Sequence, residues 1–147
     1  MARANIVLID DDPLIRSLGK ELLEALGYRV ATAQDGMEAI QVYRSQDRVD
    51  LVILDYHLPD RNGHLVMQDI LALDPGTRIM MTSGYFSSKE AARLKESGAV
   101  GLIDKPFRLK ELATRIREVL TKLERFRKIT RNRINTHKRW YGIGKYI

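Results

Sequence analysis

The sequence predicts an α/β domain built on a doubly wound parallel sheet. Three observations predict it. Five short apolar runs recur along the chain, each too short for a helix and too continuous for a half-exposed strand. Amphipathic segments with capping signals at their starts separate those runs. Four of the five runs end in a polar side chain, as though one edge of a sheet were being equipped. Strands alternating with helices give a parallel sheet covered on both faces, and right-handed crossovers leave the doubly wound arrangement as the leading topology.

The elements follow in order. Asn5-Ile-Val-Leu-Ile9 is the first strand, ending in Asp10, Asp11 and Asp12. Asp12 is placed to cap a helix whose first residue is Pro13, with Leu14, Ile15, Leu18, Leu22 and Leu26 at helical spacing and Gly27 as the stop. Tyr28 to Ala33 is the second strand; Asp35 and Glu38 make a capping box for a helix through about Arg44. Asp50 to Asp55 is the third strand. A loop with Pro59, Asn62 and Gly63 leads to a helix over about 64–72. Thr77 to Thr82 is the fourth strand, followed by the loop Ser83-Gly84-Tyr85-Phe86, and Ser87 with Glu90 opens a helix that Gly98 ends. Val100 to Ile103 is the fifth strand, closed by Asp104-Lys105-Pro106, and a last helix begins near Arg108.

Composition narrows the function. The chain has 147 residues, 44% hydrophobic and 30% charged, as in an ordinary globular domain. The absence of cysteine excludes disulfides, thiolate metal sites and cysteine nucleophiles. No apolar run approaches the roughly 18 residues of a membrane span, so no membrane partner is expected. Met-Ala-Arg-Ala-Asn runs directly into the first strand, so no secretory signal is expected and the expected location is cytoplasmic. The net charge of +6 is unevenly placed. Residues 124–147 carry eight Lys and Arg against Glu124, a net +7, while the first 123 residues carry 17 basic and 18 acidic side chains, a net −1. The expected organisation is therefore a near-neutral domain over 1–123 and a basic tail or helix extension over 124–147.

In an open α/β sheet the site lies beyond the carboxyl ends of the strands. Those ends carry Asp10 and Asp11, Asp55, Thr82 and Lys105. Three converging carboxylates raise one another's pKa unless a cation compensates them. Mg²⁺, or Mn²⁺, suits oxygen ligands of this kind, and usually shares them with phosphate. Lys105 offers a mobile positive charge for a phosphoryl oxygen and Thr82 a hydroxyl. With no histidine or lysine placed as a general base, the set fits phosphoryl transfer to a carboxylate.

Val7-Leu-Ile-Asp-Asp-Asp-Pro13, Asp50-Leu-Val-Ile-Leu-Asp55 with Pro59 and Gly63 behind it, Met80-Met-Thr-Ser83 and Asp104-Lys-Pro-Phe107 resemble, in that order, the receiver domain of two-component response regulators, over residues 5 to about 123. The resemblance implies a flavodoxin-like sheet of strand order 2-1-3-4-5 with five helices. It implies Asp55 as phosphoacceptor, Asp11 as direct Mg²⁺ ligand, Asp10 acting largely through metal-bound water, and the backbone carbonyl of His57 as a further ligand. Thr82 and Lys105 would grip the phosphoryl group, and the Lys105–Pro106 bond would be cis. The sequence departs from the family at Leu102, where an aromatic ring is common; Tyr85 and Phe86 are candidate substitute rings, set against simple local packing. The His57 side chain is expected to be a partly exposed loop group, and His64 and His137 form no constellation with it.

The last helix carries Leu112, Ile116, Val119, Leu123 and Phe126 on one stripe, read as a face toward the sheet rather than a coiled-coil seam, and is expected to fray after about Ile129. The tail holds no recognisable output module, so the chain is a stand-alone receiver or a portion of a longer regulator. The expected role is a switch, not an enzyme in its own right: a sensor histidine kinase or phosphotransfer protein donates a phosphoryl group, and the modified surface changes its downstream partner or pairs with a second copy of the chain. Two alternatives stand beside it. A haloacid-dehalogenase-like phosphatase would use Asp10 and Asp12, but Pro13 commits Asp12 to a helix cap. Nucleic-acid binding would use the basic tail with Trp140 and Tyr141; a solvated tail is the favoured reading of the same residues.

Overall fold

The computed structural model describes residues 3–144, with side chains described throughout except at 123, 124, 126, 127 and 133–144. Five strands and five helices alternate: β1 (Asn5–Ile9), α1 (Pro13–Ala25), β2 (Arg29–Ala33), α2 (Gly36–Ser45), β3 (Leu51–Asp55), α3 (Gly63–Leu73), β4 (Ile79–Ser83), α4 (Ser88–Glu96), β5 (Gly101–Asp104) and α5 (Leu109–Gly144). The strands form one parallel sheet in the order β2-β1-β3-β4-β5, the doubly wound arrangement that the sequence predicts. Strand order reverses beside β1, so the carboxyl ends of β1 and β3 flank the crevice where such folds place their chemistry.

Local chemistry starts α1, α2 and α4 as anticipated. Asp12 accepts the Leu14 N–H at 2.9 Å with Pro13 opening α1, Asp35 accepts the Glu38 N–H at 2.8 Å, and Ser87 accepts the Glu90 N–H at 3.0 Å. Asn62 supplies the corresponding cap of α3 through the His64 N–H at 2.7 Å. Each such cap satisfies a backbone donor that the helix itself cannot, about 1 kcal/mol apiece.

Alternation along the strands fills both faces. Val7, Ile9, Val52, Leu54, Ile79 and Met81 pack with Ala39 of α2, Val66, Met67 and Ile70 of α3, and Leu94 of α4. Ile6, Leu8, Leu51, Ile53 and Met80 point the other way and are equally buried, with Leu8 lying against Gly19 of α1. All five residues of β3 are buried, as a central strand covered on both sides requires. Burying each large aliphatic side chain contributes roughly 1.5–3 kcal/mol, so the central strands hold the sheet edge that carries the polar residues.

The chain divides between Ala113 and Thr114 into two compact units. The first contains the sheet, α1–α4 and the first turn of α5; the second contains the rest of α5, a single helix to Gly144. The helix thus passes Ile129, where fraying is expected from the fading apolar stripe. Its persistence has a local reason: residues 109–141 contain neither Gly nor Pro, and Lys, Arg and Leu are strong helix formers, until Gly142 and Gly144 interrupt the run. Apolar patterning reports where a helix packs, not where its backbone stops. The side chains of His137, Trp140 and Tyr141 lie outside the described residues. Among the described residues no helix is long and apolar enough to cross a membrane.

Candidate functional site

The sheet ladder runs one step past the strand ends and carries the polar residues with it. The Asp10 N–H donates to the Ala33 carbonyl at 3.1 Å, the Tyr56 N–H to the Thr82 carbonyl at 2.8 Å, and the Lys105 N–H to the Ser83 carbonyl at 2.6 Å. Asp55 and Thr82 are register partners on β3 and β4. Asp10, Asp55, Thr82 and Lys105, up to 95 residues apart in sequence, therefore occupy one end of the sheet as a consequence of strand pairing.

Their side chains converge. The Lys105 ammonium donates to Asp10 Oδ2 at 2.7 Å and to Asp55 Oδ2 at 3.0 Å. Asp10 and Asp55 are buried, and Asp11 is exposed beside them. One carboxylate oxygen from each of Asp10, Asp11 and Asp55 lies within 4.8 Å of the others, a cluster able to hold a metal ion. The remaining oxygens are also engaged: Asp10 Oδ1 accepts the Asp12 N–H at 2.9 Å and Asp55 Oδ1 accepts the His57 N–H at 3.0 Å. Thr82 is buried in the strand beside Asp55, and the Lys105–Pro106 peptide bond is cis.

Electrostatics follow from this packing. Burial pushes the Asp55 carboxyl above its usual range, the neighbouring Asp10 charge adds to the rise, and the His57 N–H and Lys105 only partly offset them. Burial alone would lower Lys105; its bonds to Asp10 and Asp55 outweigh that and hold it above the ordinary lysine value. The two directions are compatible because one ammonium serves two carboxylates, with Asp10 the nearer.

The other expected residues are dispersed or play backbone roles. The His57 side chain is exposed and meets the Tyr56 ring edge-on at 5.0 Å, so its backbone is the part that faces the cluster's neighbourhood through Asp55. Tyr85 is 74% exposed, whereas Phe86 is half-buried against the core and meets Tyr56 edge-on at 6.2 Å. Of the two candidate rings, only Phe86 is packed. Leu102 is half-buried on the same apolar cluster. His64 lies apart, buried, with Nε2 3.0 Å from the Ser97 hydroxyl. Asp12 Oδ1 accepts the Leu14 N–H as the cap of α1, the role that Pro13 predicts for it.

Two supporting residues escaped the sequence reading. Arg16 donates from Nη1 to the Asp10 carbonyl at 2.8 Å, pinning the acidic loop from the first turn of α1. Asp60 accepts the N–H groups of Gly36 and Met37 at 2.8 and 2.9 Å. The Arg16 contact had a signal, since a long donor one turn after the Asp12 cap can fold back on the preceding loop. The Asp60 contact spans 24 residues and had none.

Comparison with known proteins agrees with this geometry. Residues 6–117 match the family described as the response regulator receiver domain. The chain is 32% identical over 116 residues to the chemotaxis protein CheY of Halobacterium salinarum, covering 79% of this chain and 96% of that protein. It is 31% identical over 120 residues to the sensor kinase CckA of Brucella abortus, covering 81% of this chain but only 13% of that much longer protein. Among solved structures, a CheY-like receiver domain protein of Methanospirillum hungatei superposes with a TM-score of 0.80 at 29% identity, covering 84% of this chain and 98% of the other. The motif order, the strand order, the acidic cluster and these likenesses lead to one conclusion: the chain belongs to the response regulator receiver domain family of two-component signal transduction.

Proposed function

We propose that this receiver is switched by phosphorylation of Asp55, with Mg²⁺ held by Asp10, Asp11, Asp55 and the His57 carbonyl. The observation that carries the reading is the Lys105 ammonium bridging Asp10 and Asp55 at 2.7 and 3.0 Å, within reach of the three-carboxylate cluster. The donor set is hard oxygen, one carboxylate is exposed to solvent, and the summed negative charge calls for a divalent cation, so the residues fit Mg²⁺. Bound Mg²⁺ would neutralise the cluster and the phosphoryl oxygens.

The chain's own residues supply the rest. A carboxylate oxygen of Asp55 attacks phosphorus; the bond from phosphorus to the donor breaks, and its electron pair leaves with the donor. Asp55 needs no base, because the carboxylate is already the nucleophile. Lys105 transfers one of its contacts from carboxylate to phosphoryl oxygen, and the Thr82 hydroxyl donates to another. The new charge thereby recruits β4 and the β5–α5 connection, and through them the surface that a partner reads. Receivers are regulatory switches, and on this reading any catalysis is confined to the domain's own phosphorylation and dephosphorylation.

The phosphoryl source on this reading is a sensor histidine kinase or phosphotransfer protein in the cytoplasm. Residues 1–123 form the receiver, and the basic residues 124–147 extend it toward a downstream partner. Incubation with acetyl phosphate and Mg²⁺, followed by intact-mass measurement, tests the central claim. One phosphoryl mass should be gained, and lost in Asp55→Asn; equal labelling of that variant at the same rate refutes the assignment.

A further inference from the structure

Between Asp55 and Gly63 the chain makes a closed excursion. At its base the Gly63 N–H donates to the Tyr56 carbonyl at 2.7 Å, and His57 pairs with Asn62 as an isolated antiparallel bridge. Its tip is fastened on two further sides. Asp60, three residues past His57, lays its carboxylate across the first two backbone donors of α2: Oδ1 accepts Gly36 N–H at 2.8 Å and Oδ2 accepts Met37 N–H at 2.9 Å. Arg61 reaches the other way, its Nη2 meeting Asp69 Oδ2 on α3 at 2.6 Å.

The fit between these parts is close. A Cβ on Gly36 would stand 2.6 Å from Arg61 Cγ and 2.7 Å from its Cδ, so with glycine there the Arg61 side chain lies directly against the helix start. The helix already has its own cap, since Asp35 takes the Glu38 N–H. Asp60 therefore adds a second, tertiary cap from another part of the chain. Burial alone would raise the Asp60 carboxyl, but the N–H groups of Gly36 and Met37 outweigh it and hold it below the usual range, in its ionised, accepting form.

We propose that Asp60 is a positioning residue for the cation site: by strapping the β3–α3 loop to the N-terminus of α2, it fixes where the His57 carbonyl points. This rests on the reading of His57 as a backbone ligand. Its logic is geometric. Mg²⁺ tolerates little departure from octahedral geometry, and a supporting contact that orients a ligand commonly changes metal affinity by 10–100-fold. The His57–Asn62 bridge and the Arg61–Asp69 ion pair hold the loop on the α3 side; the two-oxygen grip of Asp60 adds the tether to α2 and removes the freedom that remains to the carbonyl.

Isothermal titration of the full chain with Mg²⁺ alone tests the strap, using Asp60→Ala, Asp60→Asn and Asp35→Ala. Asp60→Ala should weaken Mg²⁺ binding about tenfold, the low end of that range. Asp60→Asn, which keeps one acceptor oxygen, should fall between it and the parent, and decides the matter if the alanine variant does not fold. Asp35→Ala removes the other cap of α2, the bond to the Glu38 N–H, and neither of the two Asp60 bonds; it should lower the thermal midpoint and leave Mg²⁺ affinity as in the parent. Parent-like affinity in both Asp60 variants overturns the strap, as does an equal loss in Asp35→Ala. Failure of the unmodified chain to take up Mg²⁺ overturns the metal reading instead.

Discussion

Gly63 lies against the backbone of Asp55. A methyl group on Gly63 would stand 2.5 Å from the Asp55 carbonyl oxygen and 2.8 Å from Tyr56 Cα, both backbone atoms that cannot swing aside. The glycine that opens α3 is thus a spacing element of the site, letting the helix start close on the strand end that presents Asp55.

Gly63→Ala should accordingly do more harm than an alanine in a helix's first turn usually does. Propensity favours the change by nearly 1 kcal/mol, but the clash forces a backbone shift of the kind that costs about 1–3 kcal/mol or more. The expected net effect is destabilisation of about 1 kcal/mol, together with slower acetyl phosphate labelling of Asp55. Urea denaturation and labelling kinetics check both. A variant as stable as the parent would show that the contact relaxes freely.

Much of this was legible in the sequence, and what was not shares one property. The strands, the caps at Asp12, Asp35 and Ser87, and the polar strand ends follow from periodicity and from contacts within about four residues. Parallel pairing then brings Asp10, Asp55 and Lys105 together without further information. The Asp60–Gly36 strap and the Arg61 cover joined segments whose approach only the packed helices set, and nothing local in Asp60 distinguishes it from an ordinary loop acid. The length of α5 was hidden for the opposite reason: its backbone is governed by propensity, while the apolar stripe that signals a helix ends near Phe126.

The pH dependence of stability follows from Asp55. Its pKa in the folded state is raised by burial and by Asp10. A group so raised stabilises the fold fully below its unfolded value, 3.8, and loses that contribution as pH rises through the folded value. Wherever Asp55 is ionised, its charge is a burden on the domain. Asp55→Asn imitates the protonated form, so it should raise the thermal midpoint at pH 7 by a few degrees, with the gain disappearing as pH falls below the ordinary carboxylate range. A variant less stable than the parent at pH 7 would show that its bond to Lys105 outweighs its burial.

Removal of Lys105 should expose the opposite imbalance. The side chains of Asp10 and Asp55 are 3% and 6% exposed, and Lys105 is the ammonium that bridges them. Taking one partner from a buried pair costs about 3–5 kcal/mol; the Lys105 side chain is 20% exposed, which lets water reach the gap and places the cost of Lys105→Ala near 3 kcal/mol. Mg²⁺ can replace the missing charge, and a ligand of the native state stabilises by mass action. The deficit should therefore be large in chelator and shrink markedly in millimolar Mg²⁺. An equal deficit under both conditions would argue that the cluster does not bind the cation.

The tail gives the last prediction. The solved receiver of Methanospirillum hungatei is matched over 98% of its length by 84% of this chain, so part of this chain has no counterpart there. The family match itself ends at residue 117. Arg125, Lys128, Ile129 and Arg131 are exposed on α5, and burial contributes nothing there to offset the entropy of ordering them. Ending the chain after Leu123 should remove a net +7 and leave both the thermal midpoint and Asp55 labelling near those of the full chain. If the tail instead serves a polyanion, the full chain should bind it with steep salt dependence and the shortened chain should not. Loss of the folded state on truncation would make residues 124–147 part of the receiver itself and refute the division at Leu123.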